Sequence, residues 1–163
     1  DNEFLPHIVA GNPRESNVDA EIQAVIEHWT LNNEQAYAFR IIARHASTPP
    51  AQKEQLRMFL GGPGGTGKSR VINALRDFFH RRGEERRFRL ASYTGIAASN
   101  IGGITLHTSL GITPGSRTIR AGSKTHQDLT AMWDGVDYLF VDEVSMLGCY
   151  TLARVSEVLS LAM

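Results

Sequence analysis

Residues 61–70 read GGPGGTGKSR, with five glycines among the first seven positions and a Lys-Ser pair directly after. Glycine loses more conformational freedom than any other residue when it is fixed, so five together imply a backbone that must approach something closely. Gly62, Gly67, Lys68 and Ser69 fit G-x-x-x-x-G-K-[ST], the spacing of a phosphate-binding P-loop. Backbone N–H groups of such a loop curl round phosphate oxygens, and the N-terminus of the following helix adds partial positive charge. The nucleotide-binding run is then Gly62, Gly64, Gly65, Thr66, Gly67, Lys68, Ser69 and Arg70. In it Lys68 reaches the β- and γ-phosphates and the Ser69 hydroxyl ligates Mg²⁺.

The flanks agree with this reading. Residues 56–60, LRMFL, form a continuous apolar run expected to be a short strand. Val71, Ile72, Leu75, Phe78 and Phe79 recur at helical spacing until Gly83, a C-cap residue. A flexible glycine linker would have neither flank.

The 163 residues suffice for one domain with a core, and 42% hydrophobic with 21% charged residues is ordinary for a soluble globular chain. No apolar run approaches the ~20 residues of a membrane span, and no signal peptide opens the sequence, so no membrane partner is expected. The lone Cys149 excludes a disulfide framework and suits a reducing, intracellular setting. Zero net charge offers no global field for nucleic acid. The chain starts at Asp1, and residues 159–163 continue an apolar periodic segment, which reads as a piece of something longer.

Residues 1–30 read as an irregular lead-in over 1–17 followed by a short helix from Val18 to Thr30; residues 31–163 carry the motifs. A helix beginning near Asn32, with Ala38, Ile41, Ile42 and His45 on one face, stops at Pro49-Pro50. A second strand is expected over 88–93, a short helix over 95–100, a loop over 112–124 and a helix over 125–133. A third, fully apolar strand over 138–141 and a helix over 146–163 with Leu152, Val155, Leu159 and Ala162 on its face complete the pattern. Strands alternating with helices indicate an open, mostly parallel α/β sheet.

Turnover needs more than a phosphate cradle. Asp142, at the carboxyl end of the third strand, can hold the Mg²⁺ shell, and Glu143 can orient or deprotonate the attacking water. Side chains alternate along a strand, so the two carboxylates need a turn there to serve one site. The plainer reading has Asp142 capping the last helix. Gln35 has two readings as well. Its amide can pair with both edge groups of adenine, or, at position N3 after an Asn32 N-cap, close a capping box. Spacing alone leaves both open.

LNNEQ (31–35), GGPGGTGKS (61–69), TGIAASNIGGITLHT (94–108), Trp133 and VDEVSML (141–147) occur in this order. Together they resemble the N-terminal motor domain of superfamily-1B DNA helicases of the Pif/RecD group, the eukaryotic Pif-type helicases in particular. The resemblance implies a P-loop NTPase with a RecA-like open parallel sheet flanked by helices, here incomplete after the strand bearing Asp142. It implies ATP-driven 5′-to-3′ translocation on single-stranded DNA, with ATP or ADP and Mg²⁺ bound, and a nuclear or mitochondrial location. It assigns Gln35 to adenine, Lys68, Asp142 and Glu143 to catalysis, and Ser69 and Asp142 to the metal. Thr94, Gly95, Thr105, His107 and Thr108 fall to the DNA track, where hydroxyls, N–H groups and an imidazole hold phosphates without reading sequence.

The basic stretch RRGEERRFR (81–89) reads as a solvated turn rather than a DNA patch. The family's phosphate-sensing strand and arginine-finger domain have no counterpart in these residues, and a finger is worth ~10³ to 10⁵ in rate. The expectation is therefore negligible turnover by residues 1–163 alone, weak single-stranded DNA binding, and self-association through unpaired strand edges. Direct pairing of strand 56–60 with strand 138–141 is one way those edges would close. Another P-loop motor of AAA or RecA type, or an inactive transposon-derived nucleotide-binding fragment, are the competing readings.

Overall fold

A computed structural model describes residues 13–63, 65–100, 102–111 and 122–162. Gly64, residues 1–12 of the lead-in and residues 112–121 of the expected loop lie outside the described residues. The chain divides into two compact units, 1–82 and 83–163.

Among the described residues the first unit is a cluster of three α-helices. Helix α1 (Pro13–His28) begins at a proline, the residue best tolerated at a first helical position, so helix replaces the last residues of the expected lead-in. Helix α2 (Asn33–Ser47) starts at the Asn32 N-cap and ends just before Pro49, where a 3-10 turn (Pro50–Gln52) follows. Helix α3 (Lys68–Arg81) runs directly from the P-loop, and Gly83 follows its end at φ +65°. Ile22, Val25 and Ile26 of α1, Phe39, Ile42, Ala43 and Ala46 of α2, and Val71, Leu75, Phe78 and Phe79 of α3 are all buried. Phe39 meets Phe78 edge-on, with ring centroids 5.8 Å apart, a favoured aromatic geometry. The buried stripe of α2 sits one position round from the expected face: Ile41 and His45 are only half-buried.

Polar ties hold these helices in register. Trp29 Nε1 donates to Asp77 Oδ2 at 3.0 Å, and Arg81 pairs with the same carboxylate at 2.8 Å. Burial pushes the Asp77 carboxyl up, but the hydrogen bonds from Arg81 and Trp29 outweigh it and hold the group below its ordinary 3.8. Arg82 pairs with Glu21 at 2.7 Å.

Residues 56–60 form no strand, contrary to the expectation. Arg57, Met58 and Phe59 are exposed, Phe59 by 78%, and among the described residues no neighbour supplies a hydrogen-bond ladder. An apolar run states what a segment prefers to bury; only a partner's N–H and C=O groups make it a strand.

The second unit carries a parallel sheet. Strand β1 (Phe88–Ser92) lies between β2 (Ile104–Thr105) and β3 (Tyr138–Asp142). Ser92 is in register with Asp142 on one side and Thr105 on the other. Helix α4 (Gly95–Asn100) links β1 to β2, followed by the single turn α5 (Leu106–Ser109), α6 (Lys124–Trp133) and α7 (Cys149–Ala162). Ala91 of the sheet joins Leu106, Leu110, Leu129, Trp133, Val155 and Val158 in one core, with Leu139 and Val141 packed against it. Trp133 Nε1 donates to the Ser109 carbonyl at 2.9 Å inside this core. Leu152, expected on the buried face of α7, is 54% exposed, and Val158 takes its place.

β2 was not foreseen; two residues are too few for any periodicity. The arginine stretch also differs from the expected solvated turn. Arg87 pairs with Glu84 and, at 2.8 Å, with Asp137, while Arg86 donates to the Asp134 carbonyl at 2.7 Å. Arg89 lies 4.7 Å from the centroid of the Trp133 ring and donates to the Met132 carbonyl. Charge composition marked the stretch as exposed, but these guanidiniums tie β1 to the end of α6 and the approach to β3.

Candidate functional site

Gly67 is the N-cap of α3 in the left-handed region, φ +80°, and a Cβ there would collide with the Gln35 amide nitrogen. The left-handed φ favours glycine at 67, and a Cβ there would also push the Gln35 amide off its present place. Gly62 (φ +152°) and Gly65 (φ +81°) give the loop its curl. Thr66 Oγ1 donates to the Pro63 carbonyl at 2.9 Å, closing the loop across its own turn. Lys68, the first residue of α3, folds its side chain back along the loop. Its Nζ donates to the Gly62 carbonyl at 2.7 Å and the Pro63 carbonyl at 3.0 Å. Ser69 follows, exposed, in the first turn of α3. The ammonium, the exposed hydroxyl and the free N–H groups of a helix start are the donors an oligophosphate requires.

Arg70 is committed elsewhere. Its Nε donates to the Trp29 carbonyl at 2.7 Å, Nη2 to the Thr30 hydroxyl at 2.5 Å, and its own N–H to the Gly67 carbonyl. It anchors the start of α3 to the end of α1 rather than pointing at a phosphate.

Gln35 closes the capping box and also reaches the P-loop. Asn32 Oδ1 accepts the Gln35 N–H at 2.9 Å and Gln35 Oε1 accepts the Asn32 N–H at 3.1 Å, a complete capping box. The amide nitrogen then donates to the Thr66 carbonyl at 3.1 Å, inside the P-loop. A primary amide has a second N–H and a second lone pair, so an adenine edge remains within its capacity.

In the second unit, Asp142 ends β3 half-buried, its Oδ1 accepting the Glu143 N–H at 3.0 Å. It does not cap α7, which begins seven residues later. Glu143 adopts φ +55°, ψ +41°, a left-handed conformation rare for a residue with a Cβ. The chain therefore turns directly after Asp142, where β3 ends. Residues in such sparsely populated conformations concentrate at active sites. Among the described residues no cluster of three or more His, Cys, Asp or Glu could cage a metal by itself.

The five residues assigned to the DNA track gather beyond the carboxyl ends of β1 and β2. Thr94 Oγ1 accepts the Ala97 N–H at 3.2 Å at the start of α4, just ahead of the exposed Gly95. Thr105 caps α5: its Oγ1 accepts the Thr108 N–H and lies 2.8 Å from the Thr108 hydroxyl. His107 and Thr108 are exposed, and the His107 ring lies 5.7 Å from that of Tyr93. Ile96, 80% exposed next to Gly95, escaped the sequence reading; its only signal was an aliphatic residue on the open side of a two-turn helix.

Residues 30–160 match the PIF1-like helicase family. The chain is 34% identical over 110 residues to the ATP-dependent DNA helicase RRM3 of Saccharomyces cerevisiae, covering 65% of this chain and 15% of that protein. It is 30% identical over 135 residues to the ATP-dependent DNA helicase PIF1 of Candida albicans, covering 78% and 13% respectively. An uncharacterized protein 030L of Invertebrate iridescent virus 6 is 30% identical over 128 residues, 74% of this chain and 22% of that one. No solved structure matches significantly. The chain thus spans 13% to 22% of the length of these relatives. With the P-loop, the Gln35 cap and the Asp142-Glu143 turn inside the matched stretch, the chain belongs to the PIF1-like helicase family.

Proposed function

We propose that this chain binds Mg·ATP and forms part of the motor of a DNA helicase that moves 5′-to-3′; ATP-dependent DNA helicase is what the names of the yeast relatives say. The observation that bears most weight is the loop at Gly62–Lys68, whose lysine can exchange two backbone carbonyls for β- and γ-phosphate oxygens. Ser69 offers a hydroxyl oxygen and Asp142 a carboxylate oxygen, each a hard donor of the kind Mg²⁺ takes. Bound Mg²⁺ would neutralise charge on the phosphates. Glu143 accepts the proton of the attacking water, and Gln35 offers its remaining N–H and lone pair to adenine.

Thr94, Gly95, Thr105, His107 and Thr108 hold the sugar-phosphate backbone of single-stranded DNA, and Ile96 adds an apolar contact. Arg154 is engaged with Glu157 at 2.6 Å, which disfavours it as an arginine finger. We assign negligible turnover to the isolated 163 residues, in which, among the described residues, none is placed as an arginine finger. Among the described residues no helix is long and apolar enough to cross a membrane, and a nuclear or mitochondrial site of action fits DNA as substrate.

Calorimetric titration of ATP and ADP with Mg²⁺ tests the reading. Binding by the wild type and its loss in Lys68→Ala are expected. Undiminished binding by Lys68→Ala removes the lysine from the site.

A further inference from the structure

Ser92 ends β1 with no solvent exposure, and its Oγ has no hydrogen-bond partner. Buried hydroxyls are almost always paired, so this one calls for a reason. Its neighbours in the sheet supply it. Registered residues of parallel strands project to the same face, from strands about 4.8 Å apart. Ser92 therefore shares a face with Asp142 on β3 and Thr105 on β2. The stacking of Phe88 on Phe140, centroids 4.6 Å apart, marks the apolar remainder of that face. Thr105 is already satisfied by Thr108. Asp142 uses Oδ1 for the Glu143 N–H, which leaves Oδ2 for a second donor.

We propose that Ser92 is a positioning residue for Asp142: its hydroxyl donates to Oδ2 and fixes the carboxylate for the divalent cation. This rests on the reading of Asp142 as a metal ligand. The Ser92–Oδ2 bond belongs to the cation-loaded protein, and without the cation the buried hydroxyl is a liability to the fold. Replacing a serine kept for packing alone would leave the cation affinity unchanged.

The test compares Ser92→Ala, Ser92→Cys and Ser92→Thr with Asp142→Ala. Cysteine keeps the volume without a strong donor; threonine keeps the hydroxyl. One readout is thermal unfolding without divalent cation. The other is Mn²⁺ affinity at saturating ADP, by electron paramagnetic resonance. Ser92→Ala and Ser92→Cys should unfold no lower than the wild type yet bind Mn²⁺ about tenfold more weakly, as loss of an outer-shell partner does. Ser92→Thr should retain affinity, and adding Ser92→Ala to Asp142→Ala should cost nothing more. If Asp142→Ala weakens Mn²⁺ while Ser92→Ala and Ser92→Cys do not, the inference fails and the assignment of Asp142 stands. If Asp142→Ala itself leaves Mn²⁺ unchanged, both fail. Should Ser92→Ala not fold, Ser92→Cys decides.

Discussion

The Gln35 side chain donates to the Thr66 carbonyl at 3.1 Å, joining the first turn of α2 to the P-loop across 31 positions of sequence. The same amide closes the capping box with Asn32. Helix start and phosphate loop thus share one side chain, and what disturbs one reaches the other.

Glutamate at position 35 separates the two roles. Gln35→Glu keeps an oxygen for the Asn32 N–H but loses the donor to Thr66. Its unfolding midpoint should stay near wild type, while ATP affinity falls by about tenfold, the scale of one lost hydrogen bond. Gln35→Ala should in addition lose about 1 kcal/mol of stability with the cap. ATP should suffer more than GTP in calorimetric titrations of either variant. Equal losses would confine Gln35 to the cap and the loop.

Asp77 sets an acid limit on the first unit. Its carboxyl is held below 3.8 when folded, so the folded protein binds fewer protons there than the unfolded chain. The stabilisation is complete above the unfolded value and is lost as pH falls below about 3.8 through the folded value. Asp77→Asn should be less stable than wild type at neutral pH, with the difference narrowing in acid. Urea midpoints measured from pH 7 to pH 3 check this, and a constant difference would contradict it.

Trp133 combines a buried ring with the hydrogen bond to the Ser109 carbonyl. Trp133→Phe keeps most of the ring and strands a buried acceptor, at a cost of about 1–3 kcal/mol. Trp133→Ala should cost about 3–5 kcal/mol through the cavity. Chemical denaturation is the measurement, and a neutral Trp133→Phe would mean the carbonyl finds another donor.

Single-stranded DNA binding should be weak and fall steeply with salt, as expected where Lys or Arg side chains near the track neutralise phosphates. His107→Ala and Thr108→Ala should weaken it at every salt concentration without changing the slope, as expected for contacts that release no counterion. Fluorescence anisotropy of a labelled oligonucleotide reads both quantities. A changed slope would give His107 a charged role.

What could be read from sequence alone follows the range of the interactions. The Asn32 cap, the α3 face and the glycine curl are local, and each was visible in spacing. The dual use of Gln35 was not, because its second bond spans 31 residues. Residues 56–60 misled for the same reason: composition gave them a strand's preference, and a strand needs a partner that no local pattern encodes. β2 failed the other way, too short to show a period yet fixed by its pairing with Ala91 and Ser92. The arginines at 86, 87 and 89 looked solvated because charge says nothing of whether Asp134, Asp137 or a tryptophan ring waits nearby.

Glu143 sits where a residue without a side chain would rest more easily. Its left-handed backbone costs on the order of 1 kcal/mol that glycine would not incur. A search for hardier variants would therefore drift towards glycine at this position and, with each such gain, discard the one carboxylate poised beside Asp142. If Glu143 takes the water proton as proposed, durability and chemistry compete for this single residue.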